Sequence, residues 1–163
     1  MSHASTAALQ RRPRTREEEP HMVPTPLSGE ADLVAVDTTW GEIQPMEPAP
    51  GVTPVGESEL VALVEQGARL VDGRTKDFYT EATLPGAVSI PFSEAVDRRA
   101  ELEGTDPLVF FCNGPQCPQS PTAIRRLVED GFSADRIRYY RGGMHDWVSL
   151  GLPTVPGVDR RAG

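Results

Sequence analysis

Cys112 and Cys117 are the only cysteines in the chain, and both stand in one short segment, Cys112-Asn-Gly-Pro-Gln-Cys117-Pro-Gln-Ser120-Pro121. The thiolate is the nucleophile, so a reactive cysteine needs surroundings that favour negative charge. Ahead of Cys112 runs Leu108-Val-Phe-Phe111, an unbroken apolar stretch that reads as a buried strand. Behind it the spacing predicts a helix, with Ser120 as N-cap, Pro121 at the first helical position, Ile124, Leu127 and Val128 on one face, and Gly131 past the end. A cysteine at a strand tip, followed by a Gly/Pro loop and a helix start, faces backbone N–H groups and the positive end of a helix dipole. The plainer reading, a core cysteine that happens to end a strand, accounts less well for Gly114, Pro115 and the helix start.

Cys117 leaves two readings open. It can take sulfur from Cys112 or close a disulfide with it, or it is simply a small loop residue. The Cys-x4-Cys spacing allows contact, but disulfide geometry within so short a loop is demanding. Two sulfurs without a nearby pair of further ligands do not make a zinc site, since His145 is the one histidine of the predicted domain; no metal is expected. His145 follows the last predicted strand on the same edge as the loop. A proton-transfer role for it stands beside that of an ordinary surface residue.

These residues need a scaffold, and the chain spells one out. Val52–Val55 reads as a short strand. Leu60, Val61, Leu63 and Val64 mark an amphipathic helix capped by Gly56 or Ser58 and ended by Gly67. Arg69–Asp72 is a second strand, ending in Gly73-Arg74. A helical turn over Lys76–Glu81 precedes the turn signal Leu84-Pro85-Gly86, and Ala87–Pro91 reads as a third strand. A helix is expected within Ser93–Leu102. The Cys112 unit follows, then a last strand over Ile137–Tyr140, Gly142-Gly143 and Trp147. Strands alternating with helices imply an α/β fold with a parallel sheet covered on both faces. Ligands of such sheets lie beyond the carboxyl ends of the strands, where Asp72-Gly-Arg74, the Cys112 loop and Arg141-Gly-Gly all fall.

Composition bounds the rest. A chain of 163 residues suits one domain of ordinary size, and a net charge of −8 argues against nucleic acid or an anionic membrane as partner. No apolar run approaches the ~18 residues of a membrane span. Arg11, Arg12, Arg14 and Arg16 are followed by Glu17–Glu19 where an export signal would be apolar, and two cysteines are no disulfide framework; a reducing cytoplasm is expected. Residues 1–50 hold seven of the sixteen prolines and few apolar residues, which predicts a disordered or loosely docked extension. Within it Leu33–Val36 and Trp40 are candidates to dock on the domain. The domain is expected over 51–157, with 158–163 as a short tail.

Taken together, the motifs resemble a single rhodanese domain. Leu70-Val-Asp-Gly-Arg74 is similar to that family's apolar-Asp-x-Arg strand end, and Ala82-Thr-Leu-Pro-Gly-Ala87 to its Gly-His-Ile-Pro-Gly-Ala turn with Gly and His replaced. Val109-Phe-Phe-Cys112 resembles the strand that ends in the catalytic cysteine, and Arg141-Gly-Gly-Met-His-Asp-Trp147 the Gly-Gly-x-x-x-Trp ending. The resemblance implies a rhodanese-like, five-stranded, mainly parallel sheet with helices on both faces. It implies sulfur transfer through a persulfide on Cys112, cradled by the loop of Asn113, Gly114, Pro115, Gln116, Cys117, Gln119 and Ser120. It implies no metal or organic cofactor. The partners it implies are a small sulfur donor and a thiol, cyanide or protein acceptor such as a sulfur carrier. Trp147 maps to a packing position, and Asp72 with Arg74 to a structural ion pair. Thiosulfate-using members commonly carry Arg or Lys in the loop, whereas Asn113–Ser120 has no cation. Phosphatases of this fold need Cys-x5-Arg, and the sixth residue after Cys112 is Pro118. A thiol-disulfide redox protein using Cys112 and Cys117, or a non-enzymatic binding module, are the rival functions.

Overall fold

An apolar run without polar alternation can be satisfied only as a strand covered on both sides, and the structure builds its sheet around such a run. The computed structural model describes residues 25–27, 29–35 and 42–158. In chain order the elements are β1 (Thr25–Leu27), β2 (Glu30–Ala35), β3 (Thr53–Pro54), α1 (Glu57–Glu65), β4 (Arg69–Asp72), α2 (Lys76–Glu81) and β5 (Val88–Ser89). Then come β6 (Leu108–Phe111), α3 (Gln119–Glu129), β7 (Ile137–Tyr139) and α4 (Gly143–Ser149). Five strands form one sheet in the order β3-β7-β6-β4-β5, with every pairing parallel. The α/β class and the five-stranded sheet expected from the sequence are therefore what the chain adopts.

Strand β6 lies at the centre. Leu108 and Phe110 join one core with Ile124 and Leu127 of α3, Ile137 and Tyr139 of β7, and Ile90. Val109 and Phe111 join the opposite core with Leu60 of α1, Leu84, and Met144 and Trp147 of α4. All four β6 residues are buried, as the two-sided packing of a parallel sheet requires. Register then aligns Asp72 of β4 with Phe111 of β6, and Phe110 with Tyr139 of β7. Consequently the residues after three neighbouring strands, beginning with Gly73, Cys112 and Tyr140, emerge at one edge of the sheet.

Three details depart from the sequence reading. Helix α3 begins at Gln119, not after a Ser120 cap: Pro118 already has helical geometry (φ −84°, ψ −2°), and its carbonyl accepts the Thr122 N–H at 2.9 Å. Ser120 and Pro121 thus sit in the first turn, where a missing N–H is tolerated. The helix expected within Ser93–Leu102 is two 3-10 turns, Phe92–Glu94 and Arg99–Leu102. Only Ala95 and Leu102 of that charge-rich segment are buried, too little apolar surface to seat a continuous helix. The closing Gly-Gly/Trp segment is a true helix, α4, its start masked in the sequence by Gly142-Gly143.

Of the predicted extension, residues 1–24, 28 and 36–41, with Val36 and Trp40, lie outside the described residues, as does most of the predicted tail from 158. Within it β1 and β2 form an antiparallel hairpin that the sequence reading did not anticipate. Leu33, Val34 and Ala35 belong to its second strand.

Candidate functional site

At the tip of β6 the chain turns sharply, and its carbonyls are claimed from behind. Met144 N–H donates to the Cys112 carbonyl at 3.0 Å and His145 N–H to the Asn113 carbonyl at 2.7 Å. Gly143 makes this approach possible: it has φ +58°, and a Cβ there would stand 2.3 Å from the Cys112 carbonyl oxygen. With those carbonyls facing α4, loop N–H groups are left for the other side. The loop closes through Cys117 N–H donating to Gly114 C=O at 3.0 Å and runs directly into α3.

The two sulfurs sit together, free and buried, with Cys112 2% and Cys117 0% exposed. Ser120 N–H, in the first turn of α3, donates to Cys112 Sγ at 3.4 Å, and the Cys112 thiol donates to the Cys117 carbonyl at 3.5 Å. The Ser120 hydroxyl is fully buried without a well-formed partner, and it too favours charge on Cys112. These donors lose to the surroundings. Burial, reinforced by the neighbouring Cys117, pushes the Cys112 thiol well above the ordinary range. For Cys117 burial also pushes upward, but Cys112, the N–H groups of Gln119 and Asn113, and the Arg74 charge together bring it below that range. In this closed arrangement the one N–H aimed at Cys112 Sγ, that of Ser120, is outweighed by burial.

Strand β4 ends beside this loop in an ion pair. Arg74 Nε lies 3.0 Å from Asp72 Oδ1 and Arg74 Nη2 lies 2.8 Å from Asp72 Oδ2, with both residues buried. Thr83 Oγ1 and the Arg74 backbone N–H each donate to the same carboxylate at 2.9 Å. Arg74 also donates to the Ala82 carbonyl, and its Nη1 reaches Asn113 Oδ1 at 3.3 Å. This is the structural pair anticipated from the sequence, with an added link into the cysteine loop. Gly73 lets the two tips approach, since a Cβ there would come 2.8 Å from Ser120 Oγ.

The remaining predicted site residues fall in one place. Asn113, Gly114 and Gln116 are buried, whereas Pro115 and Gln119 are half-buried. Gln119 Oε1 accepts from Cys117 Sγ at 3.5 Å. His145 contributes its backbone; its ring Nδ1 pairs with Asp146 Oδ1 at 2.9 Å. Trp147 packs, edge-on to Tyr140 with ring centroids 6.4 Å apart, and its indole N–H binds the Pro153 carbonyl at 2.7 Å. Two participants escaped the sequence reading. Tyr139 holds a buried hydroxyl near both sulfurs that has no partner among the described residues, and burial, then the sulfurs, push its pKa far upward. Gln44, from the Pro-rich extension, donates its backbone N–H to the Pro115 carbonyl at 2.7 Å, and Arg141 Nη1 donates to the Gln44 carbonyl at 3.1 Å. No sequence signal marks Gln44. Among the described residues no cluster of three or more His, Cys, Asp or Glu could hold a metal ion, and no helix is long and apolar enough to cross a membrane.

Comparison with known proteins finds the same α/β fold. The family model for the rhodanese-like domain matches residues 57–150, more than half of the chain. The chain belongs to that family. It is 36% identical over 105 residues to the HTH-type transcriptional regulator Rv0324 of Mycobacterium tuberculosis, covering 64% of this chain and 45% of the relative. It is 29% identical over 84 residues to YrkF of Bacillus subtilis, named as a sulfur carrier protein, covering 52% and 43%. The chain thus spans less than half the length of these curated relatives. Among solved structures, the thiosulfate sulfurtransferase from Pseudomonas aeruginosa superposes with a TM-score of 0.55 at 25% identity, over 67% of this chain and 21% of that one. The rhodanese-like domain of the Anabaena protein Alr3790 gives 0.54 at 24% identity, over 72% and 85%. The relatives thus include a sulfurtransferase and a protein named for carrying sulfur.

Proposed function

We propose that this protein is a sulfurtransferase that carries sulfane sulfur as a persulfide on Cys112. The observation that carries the reading is the position of Cys112 Sγ, at the tip of the central strand and receiving the Ser120 N–H. The Cys112 thiolate attacks the outer sulfur of a donor, the donor's S–S bond breaks, and its electron pair leaves with the product, sulfite in the case of thiosulfate. A thiol, cyanide or the thiol of a protein carrier then attacks the outer sulfur and restores Cys112. Asn113, Gly114, Pro115, Gln116, Cys117, Gln119 and Ser120 form the loop around the transferred sulfur. Because Cys112 is buried and burial holds its thiol protonated, its ionisation accompanies opening of the site. A reducing compartment such as the cytoplasm suits both free thiols.

With no cation from Asn113 to Ser120, an anionic donor is held only by N–H dipoles and more distant arginines, which water and salt screen. Thiosulfate should therefore saturate weakly, and a thiol persulfide or protein donor should serve better. The contact of the two sulfurs favours a second reading, a thiol-disulfide cycle between Cys112 and Cys117. The loop's prolines make strain, and hence easy reduction, the expectation for such a bridge. Peptide mapping without reductant after exposure to thiosulfate, a cysteine persulfide or an oxidant separates the two. Sulfur transfer adds one sulfur atom to Cys112, reversibly; a redox cycle removes two hydrogens and joins the cysteines. A dominant Cys112–Cys117 bridge with no sulfur adduct from any donor would replace the first reading by the second.

A further inference from the structure

Residues 42–47 form a strap held against the cysteine loop at Gln44, and the way they are held is specific. At one end the strap is anchored on the domain: Glu47 Oε1 accepts the Gly51 N–H at 3.1 Å, Ala49 C=O accepts the Val52 N–H at 3.2 Å, and Ala49 is buried. At the other, both backbone groups of one residue are read. Gln44 N–H goes to Pro115 C=O at 2.7 Å, and Gln44 C=O takes Arg141 Nη1 at 3.1 Å. The Gln44 side chain takes no part, its amide turning back to the Glu42 carbonyl at 3.3 Å. Ile43 and Met46 on either side are 65% and 45% exposed, so apolar burial does not explain why the strap lies here.

An acceptor and a donor set to meet the N–H and C=O of one residue are the elements of β-strand addition. An anion would be drawn to Arg141 but repelled by the Pro115 carbonyl. A peptide backbone satisfies both. Pro115 lies three residues from Cys112 in the loop, and Arg141 follows β7, the neighbour of β6, so any chain docked on this pair lies against the loop that holds Cys112.

We infer that Pro115 C=O and Arg141 form a docking point for an extended polypeptide of a protein sulfur acceptor, and that Gln44 fills it in cis, so that the strap closes the site until such a partner displaces it. The identity of the partner as an acceptor rests on the sulfurtransferase reading; the strap itself does not. Two hydrogen bonds of ordinary strength form a latch that a competing peptide can open. A partner that brings its own backbone to the pair would lift residues 42–47 and deliver its thiol to the exposed persulfide in one event.

The test reads access to Cys112 without any sulfur chemistry. In the full chain, Gln44→Pro removes the N–H that binds Pro115, and Arg141→Met removes the second contact from the other side. Each should raise the iodoacetamide alkylation rate of Cys112, followed by mass spectrometry, about fivefold, the effect expected of losing one hydrogen bond. A synthetic peptide with the sequence of residues 42–47, at millimolar concentration, should slow alkylation of the Gln44→Pro variant again. The same peptide methylated on the glutamine backbone nitrogen should not. Unchanged alkylation in both variants would overturn the strap, and failure of the unmethylated peptide to protect would overturn the docking point. Persulfide formation on Cys112, measured separately, decides the sulfurtransferase reading, so the two can fail independently.

Discussion

The tips of β4 and β6 lie side by side and solve opposite problems. At the β4 tip a full charge is buried on each partner, and every oxygen of Asp72 is met by Arg74, Thr83 or the Arg74 backbone. At the β6 tip the polar groups are incompletely met. Among the described residues the Ser120 hydroxyl has no proper partner, the Tyr139 hydroxyl has none, and two thiols share what donors there are. A closed network of buried polar groups fixes structure, whereas one with groups to spare holds them for something that comes and goes. On the proposed function the neighbouring tips separate holding the shape from doing the chemistry, and that division can be tested residue by residue.

The largest effect should come from Cys112→Ser. Sulfur transfer should fall to the uncatalysed background, yet the unfolding free energy should change by less than about 1 kcal/mol, because hydroxyl for thiol at an under-satisfied tip changes little packing. Asp72→Ala should do the reverse. Arg74 is then a buried charge without its partner, and the loss of stability should be on the order of 3–5 kcal/mol by urea denaturation. A smaller loss, below about 1 kcal/mol, would show that water reaches Arg74 and that the β4 tip is not sealed.

Gly143→Ala tests whether the β6 tip is free of structural load. The added methyl meets the Cys112 carbonyl and must adopt a positive φ, so roughly 2–4 kcal/mol should be lost and the loop displaced. Cys117→Ser should have the mildest effect, leaving a measurable fraction of transfer. Cys117 raises the Cys112 thiol as a neighbour competing for one negative charge, so its removal lets Cys112 ionise more readily. The sign follows: alkylation of Cys112 rises with pH as the thiolate forms, and in the variant that rise should move to lower pH. A move to higher pH would mean that Cys117 helps deprotonate Cys112.

The β4 tip was legible in the sequence because its partners are close in the chain, Asp72 and Arg74 two residues apart, and because an Asp-x-Arg at a strand end has few other uses. The strand at Leu108–Phe111 was equally plain, since an unbroken apolar run of four between turn signals leaves little choice. What stayed hidden depends on distant segments meeting. Gln44 and Pro115 stand far apart in sequence, and a backbone contact leaves no mark on residue type. Helix α3 was misplaced at its start because Ser120-Pro121 looks like a cap, while Pro118, already in helical geometry, sets the earlier boundary. The burial of Cys112 and Cys117 side by side comes from tertiary packing, which residue order does not express.

The strand order also bears on how the polypeptide is made. The first strand of the main sheet, β3, has only the last strand, β7, to pair with, Thr53 meeting Arg138. As the chain is synthesised from its start, β4, β5 and β6 can assemble first, while β3 waits and one edge of the apolar β6 stays open until Ile137–Tyr139 emerge. Such an edge invites association between nascent copies. A ribosome-bound chain arrested before residue 137 should therefore engage chaperones, and release them once β7 and the α4 helix behind it have been translated.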